Sequence, residues 1–175
     1  KNAIFVGYNN HFYDDLIINY IIEYHKVMNN KSYYDICKSL YNMSQLIVND
    51  EDNEDTRSKL SHWKYANYFK SMDILSMLFS RKLRVGLKSM QMTMYYKNVQ
   101  EYDGDFNSPI PDSKIDEMIS YNINDVDSTA ELLNRCKEDV ELRLWIENEY
   151  GIDALSMDSV KFGETYLAKE YCNKT

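Results

Sequence analysis

Short apolar runs alternate along this chain with longer stretches whose apolar residues recur every three or four positions. Residues 3 to 8 (AIFVGY) are β-branched and aromatic, which predicts a short buried strand. The polar Asn9-Asn10-His11 follows, and apolar side chains then return at Ile17, Ile18, Ile21 and Ile22, the spacing of one helical face. The chain therefore opens as strand, polar turn and helix. Residues 32 to 49 again have helical spacing, with Tyr34, Cys37, Leu40, Tyr41 and Leu46 as the expected apolar stripe. The acidic run 50 to 55 (DEDNED) interrupts it, as a solvated loop or helix start within an insertion. Residues 69 to 78 (FKSMDILSML) predict a second strand running into a helix. Residues 86 to 96 (GLKSMQMTMYY) predict a Met-rich helix, whose methionines serve as pliable core.

A loop from Glu101 to Asp112 holds both prolines and Gly104. Asp112 or Ser113 is placed to cap a helix through Ile115, Met118 and Ile119 that continues, or bends, from Tyr121 to Trp145. Gly151 stops it, and Ser156 or Asp158 opens a last helix to Tyr171. No internal repeat is visible.

Composition narrows the class. With 175 residues and 44% hydrophobic content, the chain can bury roughly 70% of its unfolded surface without a disulfide or structural metal. Only 5 Gly and 2 Pro interrupt it, which favours helix. Cys37, Cys136 and Cys172 are scattered, as are His11, His25 and His62, so no zinc-ligand spacing exists and reduced, cytoplasmic thiols are expected. No apolar run approaches the ~20 residues that cross a bilayer, and no membrane partner is expected. A net charge of −8 excludes a protein that merely coats nucleic acid. The charge is uneven, however. Residues 74 to 100 carry no acid but hold Arg81, Lys82, Arg84, Lys88 and Lys97, a strip suited to a phosphate backbone or to an ordinary solvated face.

Two segments carry the chemistry. Gly7-Tyr8-Asn9-Asn10-His11-Phe12-Tyr13-Asp14 closes a strand and opens a helix. Tyr121-Asn122-Ile123-Asn124-Asp125 lies in a helix about one hundred residues later. The first resembles the second exonuclease motif of family B DNA polymerases. The second resembles the Tyr-x-x-x-Asp third motif of the tyrosine branch of the DEDD exonucleases. Leu87-Lys88-Ser89, after Gly86, is similar to the short segment that precedes that third motif. Taken singly, Asp14 is an ordinary helix-opening acid and Tyr-x-x-x-Asp a common helical pair; their order and context give the resemblance its weight.

The resemblance implies an α/β, ribonuclease H-like exonuclease fold, helix-rich here because its first strands are absent. It covers residues 1–140 as an exonuclease-like core, with 141–175 as a helical extension toward a further domain. It implies a 3′→5′ exonuclease that removes nucleotides from DNA 3′ ends by two-metal phosphodiester hydrolysis, the proofreading domain of a DNA polymerase. Such cleavage needs carboxylates clustered around ions ~3.5–4 Å apart, with magnesium or manganese as the cofactor. Asp14 and Asp125 are then metal ligands. Tyr121, one turn before Asp125, positions the attacking water. Asn9, Asn10, Tyr13 and Lys88 are expected to contact the substrate, a single-stranded or frayed DNA 3′ end. A polymerase domain in the same parent chain is the expected partner. The richness in Asn, Lys, Tyr and Ile, with that resemblance, points to a phage or low-GC bacterial source and to the host cytoplasm.

The family's first motif, Asp-x-Glu on an opening strand, should precede Asn9, yet only eight residues do. Asp52-Asn53-Glu54 lies in the acidic run and Asp139-Val140-Glu141 follows the third motif; neither has the right context. The pair is expected either upstream of Lys1 or on a partner chain, and residues 1–175 alone are expected to bind divalent metal poorly and cleave nothing. Two other readings share the motifs: a ribonuclease D-like exoribonuclease, and a non-catalytic exonuclease-like scaffold.

Overall fold

The structure is a computed structural model and describes residues 3–49, 60–66, 68–79, 83, 85–102, 104 and 110–172. The described chain is mostly helical, with one small two-stranded parallel sheet. It forms two compact units, residues 1–73 and 74–175. The position 140/141, where the sequence suggested a domain limit, falls inside a helix. The acidic run 50–55, Asp52-Asn53-Glu54 within it, and Arg81, Lys82 and Arg84 of the basic strip lie outside the described residues.

In the first unit, strand β1 (Ile4–Gly7) pairs in parallel with β2 (Lys70–Asp73), Ile4 opposite Lys70 and Gly7 opposite Asp73. The second strand therefore exists, and it ends where the following helix begins. A 3-10 turn, Asn10–Phe12, joins β1 to helix α1 (Asp14–Met28), and helix α2 (Tyr33–Val48) follows. Ser32 caps α2, its hydroxyl accepting the amide of Asp35 at 3.2 Å, a local signal that fixes where the helix starts.

The faces these helices bury differ from the expected ones. On α1, Leu16 and Asn19 are buried, while Ile21 and Ile22 are exposed. On α2, Met43 is buried, whereas Tyr34, Cys37, Tyr41 and Leu46 are exposed. Leu16, Met43 and Leu60 form the core, with Ile17, Tyr20, Ile47 and Trp63 packed against it. The reason is polar. Asn19 donates to the carbonyls of Trp63 and Ala66 at 2.9 and 3.2 Å. The Trp63 indole donates to Glu23 at 2.8 Å, and Tyr20 and Ser39 hydroxyls meet at 2.7 Å. These bonds turn the 16/19/20/23 face of α1 toward residues 60–66 and α2, which hydrophobic counting alone could not select.

The second unit begins with a short helix α3 (Ile74–Leu78), then α4 (Leu87–Thr93), α5 (Ile115–Arg135), α6 (Lys137–Tyr150) and α7 (Ser159–Leu167), which runs into a π-helical turn at Ala168–Cys172. The long helix expected across Tyr121 to Trp145 bends at Cys136 (φ −94°, ψ 12°), so α5 and α6 are separate. Pro111, not Asp112 or Ser113, occupies the cap before the 3-10 turn Asp112–Lys114 that leads into α5. Gly151 ends α6 in the left-handed conformation (φ 63°), and Asp158 caps α7 through the amide of Lys161 at 2.9 Å, both as the sequence predicts. Ile146, Ile152 and Ala154 form a core with Tyr150, Met157, Phe162 and Tyr166. Arg143, only 2% exposed, donates to the carbonyls of Asp139 and Met157 and stacks over Phe162. No described helix is long and apolar enough to cross a membrane.

Gly7 sits where the chain leaves no room for a side chain. A β-carbon there would lie 2.7 Å from the β-carbon of Asn10, which cannot swing away because it belongs to the turn itself. Gly7→Ala should therefore destabilise the protein by about 1–3 kcal/mol, the usual cost of forcing an extra methyl into a filled site. Chemical denaturation reads this directly; an unchanged midpoint would mean that the turn is looser than described.

Candidate functional site

The seven sequence-selected residues divide between the units. Asn9, Asn10, Tyr13 and Asp14 belong to the first, and Lys88, Tyr121 and Asp125 to the second.

In the first unit the site grows out of the strand pair. Because Gly7 lies opposite Asp73, the fully buried Asp73 carboxylate receives the backbone N–H of Asn9 at 2.8 Å. Asn9 adopts a left-handed conformation (φ 63°), which asparagine tolerates better than most residues. Asn10 then points inward and is buried. Its amide donates to Ser71 Oγ at 2.8 Å and to Asp15 Oδ1 at 3.0 Å. Asn10 was expected at the substrate; it instead ties the turn to β2 and to α1, since a buried amide must spend its donors on the protein. Asp15 also meets His11 at 3.6 Å, so it too serves the turn.

Asp14 is differently placed. Among the described residues its carboxylate takes a hydrogen bond only from its own backbone amide. Part of Asp14 remains open to solvent, yet burial raises its pKa above the ordinary value, and the negative charges of Asp15 and Asp73 push the same way. Tyr8 feels the same surroundings: burial first, and then the Asp73 charge, push its phenol up to about 12. Beside Asp14 lies an open groove of about 370 Å³ lined by Tyr13, Asp14, Ile17, Ile18, Leu40, Tyr41 and Ser44. The Tyr13 and Ser44 hydroxyls join across it at 2.7 Å, which binds the start of α1 to α2.

In the second unit, Tyr121 and Asp125 stand one turn apart on α5, and Lys88 of α4 meets both. Its ammonium is 3.2 Å from Asp125 Oδ1 and 4.5 Å from the centre of the Tyr121 ring. Lys88 was expected to bind substrate; here its charge is spent on the motif itself. Gln91 also donates to Asp125 Oδ1, at 3.2 Å. Oδ2 has no hydrogen-bond partner among the described residues, and the Asp125 side chain stays 26% exposed. The Tyr121 ring faces Tyr102, centroids 6.0 Å apart, over a groove of about 380 Å³ that Glu101, Glu117 and Ser120 also line. Its hydroxyl makes no hydrogen bond among the described residues.

The Asp139-Val140-Glu141 triplet sits on α6 and is engaged there. Asp139 pairs with Arg143 at 3.5 Å, and Glu141 with Lys137 at 3.7 Å. Among the described residues no three His, Cys, Asp or Glu side chains form a ready metal group. Gln91, Ser128 and Asp73 belong to no motif in the sequence. Only strand register and helix facing, which no local motif encodes, reveal what they hold.

Comparison with protein-family models, with curated proteins and with solved structures finds no match to this chain.

The raised pKa of Asp14 has a stability sign. A carboxyl whose folded pKa lies above its unfolded value of about 3.9 loses stability as pH rises between the two, and the full penalty persists at neutral pH. Asp14→Asn removes it. The variant should therefore be more stable than the parent at pH 7 by less than about 1 kcal/mol, since solvent screens the open side of the group. The gain should vanish in acid below the ordinary carboxylate range. Thermal unfolding at both pH values, without divalent metal, checks this; a loss of stability at pH 7 would contradict it.

Proposed function

We propose that this chain belongs to a 3′→5′ exonuclease with a ribonuclease H-like core, acting on single-stranded or frayed DNA 3′ ends within a DNA polymerase. The observation that carries the reading is the common facing of Tyr121 and Asp125 on α5, with one Asp125 oxygen left without a donor among the described residues. Asp14 supports it from the other motif: a carboxylate at the first turn of α1, crowded by two further acids and, among the described residues, bound to its own amide alone.

Both donors are hard carboxylate oxygens of the kind that magnesium and manganese take. Asp14 and Asp125 Oδ2 fit that role, and the first-motif pair would complete it in the full-length protein. When bound, such ions lower the pKa of a water and stabilise the leaving oxygen. The chain's own residues supply the rest. The Tyr121 hydroxyl, which makes no hydrogen bond among the described residues, is available to hold the attacking water. Lys88 balances the charge of Asp125 and fixes its rotamer. Asn9 projects from the left-handed turn toward substrate, and Tyr13 offers a ring beside the groove at Asp14, where a terminal base can pack.

The Lys88–Asp125 pair is the observation that favours a non-catalytic scaffold, because a lysine held on the motif acid competes with a cation. It reaches Oδ1 alone, which leaves the exonuclease reading in place.

In the full-length protein with magnesium or manganese, Asp14→Ala and Asp125→Ala should each abolish shortening of a 5′-labelled single-stranded oligonucleotide. Near-normal rates in either variant would sink the assignment. Tyr121→Phe should slow cleavage roughly 10–1000-fold, as loss of one aligned polar group does, with little change in DNA affinity or melting temperature. A collapse in stability with normal activity per folded molecule would make Tyr121 a packing residue.

A further inference from the structure

Gln91 is a glutamine with no exposed surface, and it is the one buried residue of α4. Its Nε2 donates to two acceptors, Ser128 Oγ at 2.7 Å and Asp125 Oδ1 at 3.2 Å. Ser128, also fully buried, passes its own proton to the Asp125 backbone carbonyl at 3.0 Å, so the serine oxygen is oriented to accept from Gln91. The orientation of the amide is set by chemistry, since an ionised carboxylate can only accept. This leaves Gln91 Oε1 buried with no hydrogen-bond partner among the described residues.

The consequence falls on Asp125. Oδ1 is fastened by the Gln91 amide and by Lys88, whereas Oδ2 receives no hydrogen bond among the described residues. Thr129 and Ser128 both donate to the Asp125 carbonyl, at 2.8 and 3.0 Å, and hold the backbone beneath it. Of the two Oδ1 partners, Lys88 is the exchangeable one: it is partly exposed and on a flexible stem. Gln91 cannot leave without opening the core.

We infer that Gln91 is a positioning residue for Asp125, its buried amide fastening Oδ1 so that Oδ2 alone faces a divalent cation. The inference rests on the exonuclease reading of Asp125, but it concerns this chain's own hydrogen-bond network. Outer-shell partners of ligating carboxylates commonly contribute about 10–100-fold to metal affinity.

The test is manganese binding to the full-length protein, read from the electron paramagnetic resonance of the free ion, with manganese alone as the probe. Gln91→Met keeps length and volume but removes the donor, and should weaken manganese binding about tenfold or more. Ser128→Ala, which leaves Asp125 and Gln91 intact but unlocks the amide, should give a smaller loss in the same direction. In an Asp125→Ala background, Gln91→Met should have no further effect, because the carboxylate it acts through is gone. Equal losses in both backgrounds would show general loosening of the fold and overturn the inference, as would unchanged affinity in Gln91→Met. Unchanged affinity in Asp125→Ala alone would remove the metal role of Asp125, and with it both the exonuclease reading and this inference.

Discussion

The hydrogen bond from the Asn9 amide to the buried Asp73 carboxylate is the constraint on which the first unit's site depends. It exists because parallel pairing sets Gly7 opposite Asp73, so the end of β2 caps the turn that leaves β1. A hydrogen bond to a charged, buried group contributes about 1.5–3 kcal/mol, enough to hold Asn9 in its left-handed conformation. Once Asn9 is fixed, Asn10 turns inward to Ser71 and Asp15, and α1 starts at Asp14 with the Asp14 side chain left out of that network. Gly7 permits the close approach. A slip of one residue in the strand pairing would exchange the inward and outward faces and dismantle the turn.

The two motif carboxylates are held by opposite means. Asp14 is crowded by Asp15 and Asp73 and carries a raised pKa, which makes it a carboxylate at some cost to the fold and one that a cation would relieve. Asp125 is satisfied on one oxygen by Gln91 and Lys88 and open on the other. The first arrangement stores unfavourable charge, and the second stores orientation. Under the proposed function an oxygen-ligated divalent ion would draw on both, since it needs negative charge together with fixed geometry.

Element types were largely legible in the sequence, because they rest on local signals. The AIFVGY run became β1, Gly151 and Asp158 marked helix ends, and FKSMDILSML proved to be strand followed by helix. Helix facing was not legible. On α1 and α2 the deciding interactions are long-range and polar, Asn19 to Trp63 and Tyr20 to Ser39, and they bury faces that hydrophobic counting ranks second. For the site, the Tyr121–Asp125 spacing was readable from helical geometry alone. Asn10 and Lys88 were not. An asparagine beside a functional turn and a lysine before a motif look like ligand contacts until register and facing show that they serve the neighbouring carboxylates.

The proposed function requires that Asp14 and Asp125 both contact divalent metal. Iron(II) that replaces magnesium in the full-length protein will, with ascorbate and peroxide, cut the backbone beside its ligands. The account predicts magnesium-competed cuts near residues 9–15 and near residues 121–128. Cuts at only one of these segments, or cuts confined to the Asp139–Glu141 region or the 50–55 acidic run, would contradict it.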